Sequence, residues 1–156
     1  MKSSRSEQDR PEKPLCARGP GWEHFEHASD IGVRGFGADP ASAFANAALA
    51  LTAIITPPDL VAQIAAVDIE RSDKDLEILF VDWLNAVLFE MAARRMLFSR
   101  FEARIDGPRL RARAWGEPLD AARHRPAIEV KAATYCGLAV REEAPGRWVA
   151  QCVVDV

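Results

Sequence analysis

Long apolar runs and paired cysteines are the first features that this sequence of 156 residues lacks. No stretch approaches the roughly 18 apolar residues that a transmembrane helix needs, and the opening MKSSRSEQDRPEKP has no apolar core of a secretion signal. The three cysteines, Cys16, Cys136 and Cys152, are odd in number and far apart. We therefore expect reduced thiols in a cytoplasmic protein, with neither a disulfide framework nor a zinc site built from cysteines.

Motifs of the common enzyme classes are also missing. The sequence has no Walker loop, no GxSxG and no GxGxxG, so nucleotide binding, serine hydrolysis and Rossmann-type dehydrogenation have no motif support. The three histidines, His24, His27 and His124, show no HExxH or similar zinc spacing. His24 and His27 lie on opposite sides of a predicted strand, which argues against a zinc site built from histidines.

The composition that remains is typical of one globular domain. Hydrophobic residues make up 49% of the chain and charged residues 28%, and the length suits a single core. Residues 1–21 mix charges, prolines and glycines without an apolar period, so burial cannot offset the entropy cost of ordering them. We predict a disordered N-terminal tail over residues 1–21 and a folded domain over residues 22–156.

Two segments show the apolar periodicity of helices. Asp39 is a candidate N-cap before Pro40, apolar residues then recur at helical spacing, and the TPP at 56–58 ends the pattern. The segment SDKDLEILFVDWLNAVLFEMA predicts a second helix, in which Ser72 and Asp75 form a capping-box pattern. Both helices present one apolar stripe to a core.

Extended segments surround these helices. WEHFEH, IGVRGFG, LVAQIAAVDIE and IEVKAATY have the character of strands, and two hairpins are predicted around the turns at 106–108 and 144–146. Helices interspersed with hairpins favour an α+β fold. We predict a single domain with a mostly antiparallel sheet and two main helices packed on one side.

The net charge of −3 conceals two segments of opposite sign. Seven acids and two bases between residues 68 and 90 give −5, whereas nine arginines and four acids between residues 94 and 125 give +5. Such an arrangement suits docking on a charged partner or on RNA, and it equally suits solvated strand faces of opposite sign.

Several acidic residues are candidates for binding or for simple structural roles. Asp30, beside Gly32, could form a turn or hold a cation. Asp155 lies next to the terminal carboxylate on Val156, and two such anions repel unless a positive charge lies between them or water solvates both. A further polar group could contact a phosphate or a partner, or form an ordinary loop; its members are Glu117, Asp120, His124, Glu129 and Lys131.

Five separated blocks over residues 22–156 together resemble the archease family. They are WEHFEHASDIGVRGFG, FANAALAL, LEILFVDWLNAVLFEM, GEPLDAARHRPAIEVKAATY and the closing VVDV. The resemblance implies a small α+β accessory protein, not itself an enzyme, that activates an RtcB-type RNA ligase. That ligase joins tRNA halves and repairs RNA with GTP and a metal, and the implied role is to promote guanylylation of its active-site histidine and to permit multiple turnover.

The resemblance also implies a metal site at Asp30, Asp155 and the carboxylate of Val156. Such all-oxygen ligation suits a hard divalent cation, most readily calcium, with magnesium or manganese as alternatives. Lys131 matches a position expected to contact the ligase or its nucleotide, with His27 and His124 as further candidates. The chain departs from the family at Cys136, where a histidine is common.

Two rival interpretations remain open. The first is a chaperone-like modulator of another RNA-processing enzyme, such as a tRNA methyltransferase, with the arginine-rich strands touching RNA. The second, an independent metal-dependent hydrolase, lacks a general base beside the proposed ligands. Under the leading interpretation the partner is the ligase, RNA contact is indirect or weak, and no membrane is involved.

Overall fold

Strands and helices alternate irregularly along the structure, a computed structural model that describes residues 16–156. No helix among these residues is long and apolar enough to cross a membrane. The nine strands are β1 (Arg18–Gly19), β2 (Trp22–His27), β3 (Asp30–Gly37), β4 (Ala65–Ser72), β5 (Met96–Asp106), β6 (Arg109–Pro118), β7 (Ala132–Ala133), β8 (Ala139–Ala144) and β9 (Arg147–Asp155). The helices are α1 (Pro40–Ile55), α2 (Leu76–Arg94) and the short α3 (Ala121–His124), and Pro58–Leu60 forms a 3₁₀ turn.

The strands form two antiparallel sheets. The larger sheet has the order β1-β2-β3-β9-β7, and β8 pairs with an earlier part of β9 than β7 does. The smaller sheet has the order β4-β6-β5 and contains the predicted hairpin. The predicted α+β class with antiparallel strands is confirmed, and the structure divides the strands between two sheets.

Helix α1 begins at the predicted cap and packs against the larger sheet. The Asp39 carboxylate accepts a hydrogen bond from the Ser42 N–H at 2.8 Å, and Pro40 follows at the first helical position. Gly35 of β3 allows the closest approach, because a Cβ there would lie 2.1 Å from the Ala43 carbonyl oxygen. The Thr52 hydroxyl donates to the Phe98 carbonyl at 2.7 Å, so the same helix also contacts the smaller sheet.

Helix α2 is capped by a different residue from the one predicted. Asp75 is the N-cap, and its carboxylate accepts hydrogen bonds from the N–H groups of Glu77 and Ile78. Ser72 instead ends β4, so the predicted capping box is wrong. The buried Trp83 indole donates to the Phe44 carbonyl at 2.9 Å and thereby joins α2 to α1.

The chain joins the sheet before the predicted boundary at residue 22. Residues 1–15 of the predicted tail lie outside the described residues, but Arg18 and Gly19 pair with Glu23 and Trp22. The Ala17 N–H also donates to a side-chain nitrogen of β2. The predicted tail is therefore corrected at residues 18 and 19.

The predicted IEVKAATY strand is reduced to the two residues of β7. Just before this segment, the Ala127 N–H donates to the Ile55 carbonyl at the end of α1 at 2.8 Å. The chain there is therefore hydrogen-bonded to the helix and not to the sheet. The linker before it, predicted to be irregular, contains the single turn of α3.

Candidate functional site at the end of the larger sheet

Asp30 and Asp155 meet at one end of the larger sheet. The β3–β9 ladder pairs Ile31 with Val154, and one further step in the same register puts Asp30 beside Asp155. Ile31 and Val154 are fully buried on the inner face. Because side chains alternate along a strand, Asp30 and Asp155 both face outward. Asp155 is exposed and Asp30 is half-buried.

The chain around Val156 and Lys131 completes this end of the sheet. The Lys131 N–H donates to the Asp155 carbonyl at 2.8 Å, which holds the start of β7 against the end of β9. The Lys131 side chain is exposed, and Val156 packs its side chain partly against the core. The predicted residues Asp30, Asp155, Val156 and Lys131 therefore lie at the same end of one sheet.

The carboxylates of Asp30 and Asp155 are the oxygen donors that this end of the sheet brings together. Like charges that face each other across two strands destabilise a sheet, and a divalent cation between them would reverse that effect. Within residues 16–156 no three side chains of His, Cys, Asp or Glu form a metal-binding group. Asp30 and Asp155 therefore form a pair of carboxylates and not a group of three side-chain ligands.

His27 lies beside this pair and contacts a residue that sequence reasoning did not select. His27 pairs with Asp30 across the β2–β3 turn. Its Nε2 atom is 3.4 Å from the Sγ atom of Cys136, and both residues are exposed. The two residues are separated by 109 positions, so no local spacing signals the contact.

His124 does not belong to this surface. It is fully buried, its Nδ1 accepts from the Asp120 N–H at 2.9 Å, and its Nε2–H donates to the Glu117 carboxylate at 2.9 Å. The Thr56 hydroxyl donates to the His124 carbonyl. Direct contact with a ligase or nucleotide is therefore corrected to a structural role, because both ring nitrogens are occupied inside the protein.

Glu117 is the centre of that buried network. Hydrogen bonds from the Arg123 guanidinium, from the Ala62 N–H and from His124 hold the pKa of its carboxyl far below its usual range. The same bonds join the end of β6 to α3 and to the loop after the 3₁₀ turn. Most of the polar group predicted around 117–124 thus forms a structural clamp.

His24 likewise has a structural position. Its Nε2–H donates to the Ala50 carbonyl of α1 at 2.7 Å, and its Nδ1 accepts from the Ala17 N–H at 3.1 Å. Burial lowers the pKa of His24, and the hydrogen bond to Ala50 opposes this shift only in part. The imidazole is consequently held neutral between β2 and α1.

Three arginines of the arginine-rich strands form ion pairs with acids at neighbouring positions. Arg113 pairs with Asp68 at 2.7 Å, and Arg111 pairs with Glu70 at 3.1 Å across β4 and β6. Arg100 pairs with Glu102 on β5. The charge pattern has two interpretations, a docking surface or solvated strand faces of opposite sign. The ion pairs of these strands agree with the solvated faces.

A polar cleft of about 1110 Å³ lies between α1 and the smaller sheet. Asn46, in its wall, donates to the Phe36 carbonyl at the opposite end of β3 from Asp30. Paired charges of the smaller sheet, such as Asp68 and Arg113, also line it. The cleft is therefore separate from the carboxylate pair.

Comparisons of sequence identify relatives over most of the chain. The sequence model of the Archease protein family (MTH1598/TM1083) matches residues 22–156. Protein archease of Pyrococcus abyssi is 37% identical over 139 residues, which are 86% of this chain and 98% of that protein. Protein archease of Methanopyrus kandleri is 40% identical over 139 residues, with 86% and 99% coverage.

Solved structures agree with these relatives. The solution structure of Methanobacterium thermoautotrophicum protein 1598 matches with a TM-score of 0.78 and 31% identity, covering 88% of this chain and all of that chain. The crystal structure of a Thermotoga maritima archease, described as a possible chaperone, matches with a TM-score of 0.56 at 17% identity and shares the fold. It covers 90% of this chain and 98% of that chain. The chain therefore belongs to the archease family.

Proposed function

We propose that this protein is a cytoplasmic cofactor of an RtcB-type RNA ligase, and that it promotes guanylylation and turnover of that enzyme without catalysing a reaction itself. Family membership supports the accessory role. The observation that carries the proposal is the placement of Asp30 beside Asp155 at an exposed end of the larger sheet.

In this proposal Asp30, Asp155 and the carboxylate of Val156 hold one divalent cation, calcium in preference to magnesium or manganese. A bound cation supplies positive charge beside the docking surface. Asp30 and Asp155 orient their carboxylates from two paired strands, so the site is supported by the β3–β9 ladder. Lys131, exposed beside this site, contacts the ligase or its nucleotide, and His27 lines the same surface.

RNA contact is indirect in this proposal. Arg100, Arg111 and Arg113 of β5 and β6 have acidic partners, so the smaller sheet offers less free positive charge than its sequence suggests. A protein that neutralises many phosphates needs unpaired cations, because counterion release drives such binding.

The direct test is a guanylylation assay with a cognate ligase, GTP and divalent metal. We expect this protein to accelerate covalent guanylylation of the ligase, and Asp30→Asn to remove most of the acceleration. Asp106→Asn is the matched control, because Asp106 is exposed in the β5–β6 hairpin of the other sheet. A rate that is the same with and without this protein would disprove the proposal.

The rival role, chaperone-like modulation of another RNA-processing enzyme such as a tRNA methyltransferase, predicts a different result. The possible-chaperone description of the Thermotoga protein is the observation in its favour. Direct RNA binding by this protein that weakens steeply with salt, together with an unchanged guanylylation rate, would support the rival.

A further inference from the structure

We propose that a surface of apolar and cationic side chains at the end of β6 docks an acidic segment of the ligase that also carries apolar side chains. This basic–apolar surface consists of Leu60, Ile64, Arg95, Leu119 and Arg125. The inference rests on the proposed function, because it takes the ligase as the partner. It adds a second contact region to the one at the carboxylate end of the larger sheet.

Exposed apolar side chains gather at this end of β6. Leu60 is 41% exposed, Ile64 72% and Leu119 44%. The Ile64 N–H donates to the Gly116 carbonyl at 3.1 Å, and the Leu119 N–H donates to the Arg95 carbonyl at 2.8 Å. Large apolar side chains that are exposed in one place mark surfaces that another protein covers.

The Glu117 network holds the segments of this surface together. The Arg123 guanidinium donates to the Leu60 carbonyl at 3.1 Å and to the Glu117 carboxylate at 2.7 Å. The Ala62 N–H donates to the same carboxylate at 2.7 Å. A surface that is rigid before docking loses little conformational entropy when a partner binds, so this network favours an interface.

The two arginines of this surface have backbone conformations that favour glycine. Arg95 caps the C-terminus of α2 with a φ of 53°, and Arg125 caps that of α3 with a φ of 48°. Glycine is the usual residue at such caps, because a Cβ atom is strained there. Both arginines are exposed, and within residues 16–156 neither guanidinium forms an ion pair or a hydrogen bond. The neighbouring Arg94 and Arg123, by contrast, both form ion pairs.

The unpaired guanidiniums determine the charge of the partner. The acids closest in sequence on β6 and α3 are already engaged, Glu117 in its network and Asp120 as the N-cap of α3. Arg95 and Arg125 therefore keep their positive charge beside exposed leucines. A protein segment with both acids and apolar side chains complements this surface, whereas a phosphate backbone would leave the leucines in water.

The chain connects this surface to the carboxylate end of the larger sheet. After Arg125, the Ala127 N–H donates to the Ile55 carbonyl at 2.8 Å, and the Lys131 N–H donates to the Asp155 carbonyl at 2.8 Å. The segment between Arg125 and Lys131 therefore runs from α3 to the proposed metal site. One ligase molecule can contact both regions.

Glycine variants test the role of the two arginines. We expect Arg95→Gly combined with Arg125→Gly to weaken binding of the purified cognate ligase at least about tenfold, because two charge contacts are lost. The melting temperature should not fall, since glycine is favoured at both caps. Arg109→Gln is the control, because Arg109 is exposed at the opposite end of β6 and should leave the affinity unchanged.

Photochemical cross-linking tests the chemistry of the partner. A benzophenone side chain that replaces Leu119 in the full chain should attach to the ligase in a mixture of ligase and RNA. The attached ligase peptide should contain both acids and apolar residues. The same group in place of Ile78, which is 39% exposed near the start of α2, is the control and should attach much less.

Several results would overturn this inference. They are an unchanged ligase affinity of the double glycine variant, equal cross-linking from Leu119 and Ile78, attachment to a peptide without acids, and attachment to RNA or to a second copy of this chain. A native chain that fails to accelerate guanylylation contradicts the proposed function itself. A native chain that accelerates guanylylation while the double variant binds normally contradicts only the docking surface, so the two failures are distinguishable.

Discussion

At the scale of single residues, the three histidines occupy three different environments. His24 is held neutral against α1, His124 is enclosed by the Glu117 network, and His27 is exposed beside Asp30. The sequence placed His24 and His27 on opposite sides of β2 correctly, because strand alternation needs only local information. The sequence could not predict which histidines are buried and which are exposed, because burial depends on partners that are distant in the chain.

Acid sensitivity should originate partly at His24. Its folded pKa is below 6.5, so the unfolded chain binds the proton more readily. The contribution of His24 to the free energy of unfolding is therefore fully present above pH 6.5. It is lost as the pH falls from 6.5 toward the folded pKa. His24→Phe should therefore flatten the dependence of unfolding free energy on pH between about 7.5 and about 5.5, measured by urea titration.

Phe25→Leu on the same strand provides the control for this measurement. It should retain the slope of the native chain, because neither side chain titrates. An unchanged slope in His24→Phe would show that His24 does not cause the sensitivity.

Protonation of Glu117 should also destabilise the protein, at a lower pH than protonation of His24. Its carboxyl has a folded pKa below the usual 4.5, so its stabilising effect is present above that pH and disappears as acid protonates it. Glu117→Gln should lower the melting temperature near neutral pH and reduce the further loss of stability below about pH 4.5. Thermal unfolding followed by circular dichroism at several pH values measures both effects.

Leu119→Ala is a suitable comparison for Glu117→Gln. Leu119 is exposed close to the network and does not titrate, so this variant should retain the acid dependence. A melting temperature of Glu117→Gln equal to that of the native chain would contradict the importance of the clamp.

At the scale of elements, the sequence predicts helix bodies better than their ends. Both main helices and both hairpins lie where periodicity and turn residues indicate. The sequence predicts Ser72 as the cap of α2 because a capping box is defined by residue types alone. More than one residue between 72 and 75 is of a type that can cap a helix. In the structure Ser72 is part of β4 and pairs with β6, so it does not cap α2. That contact is long-range and cannot be predicted from the local sequence.

Substitution of the two candidate caps separates them. Asp75→Ala should destabilise the protein by about 1 kcal/mol, because it removes the acceptor for two N–H groups at the start of α2. Ser72→Ala, on an exposed position of β4, should change the unfolding free energy by less than about 0.5 kcal/mol. The reverse order in chemical denaturation would restore Ser72 as the cap.

Close contact between α1 and β3 gives a second test at this scale. Gly35→Ala would place a methyl group against the backbone of Ala43 and Ala47, and we expect a loss of about 3 kcal/mol. Gly146→Ala has open space but a φ of +74°, so it should cost only about 1 kcal/mol. Similar losses in urea unfolding would indicate that α1 can move away from the sheet.

At the scale of the whole molecule, the carboxylate site joins residues from opposite ends of the chain. Spacing alone could not have paired Asp30 with Asp155, and only the resemblance to a family suggested it. The structure places these residues side by side, and their metal binding stays a prediction. Cys136 was recognised in sequence only as a departure from the family, because its neighbour His27 is brought near by folding.

Removal of one charge from this site should have opposite effects with and without metal. In chelator, Asp30→Asn should stabilise the protein by about 0.5 kcal/mol, because it relieves repulsion across β3 and β9. In calcium at about 100 times its Kd, the native chain should gain about 2.7 kcal/mol that the variant lacks. Thermal unfolding in both conditions, with Asp106→Asn as control, measures this reversal; equal shifts for all three proteins would exclude calcium binding at Asp30.

The position of β9 has a consequence for folding during synthesis. This strand comes after all the others in chain order, yet it lies inside the larger sheet and pairs with β3, β7 and β8. A nascent chain emerging from the ribosome therefore exposes an edge of β3 until residues 147–155 are released. Long-range pairing of this kind folds slowly, so the interval before release is when the protein depends most on protection from aggregation.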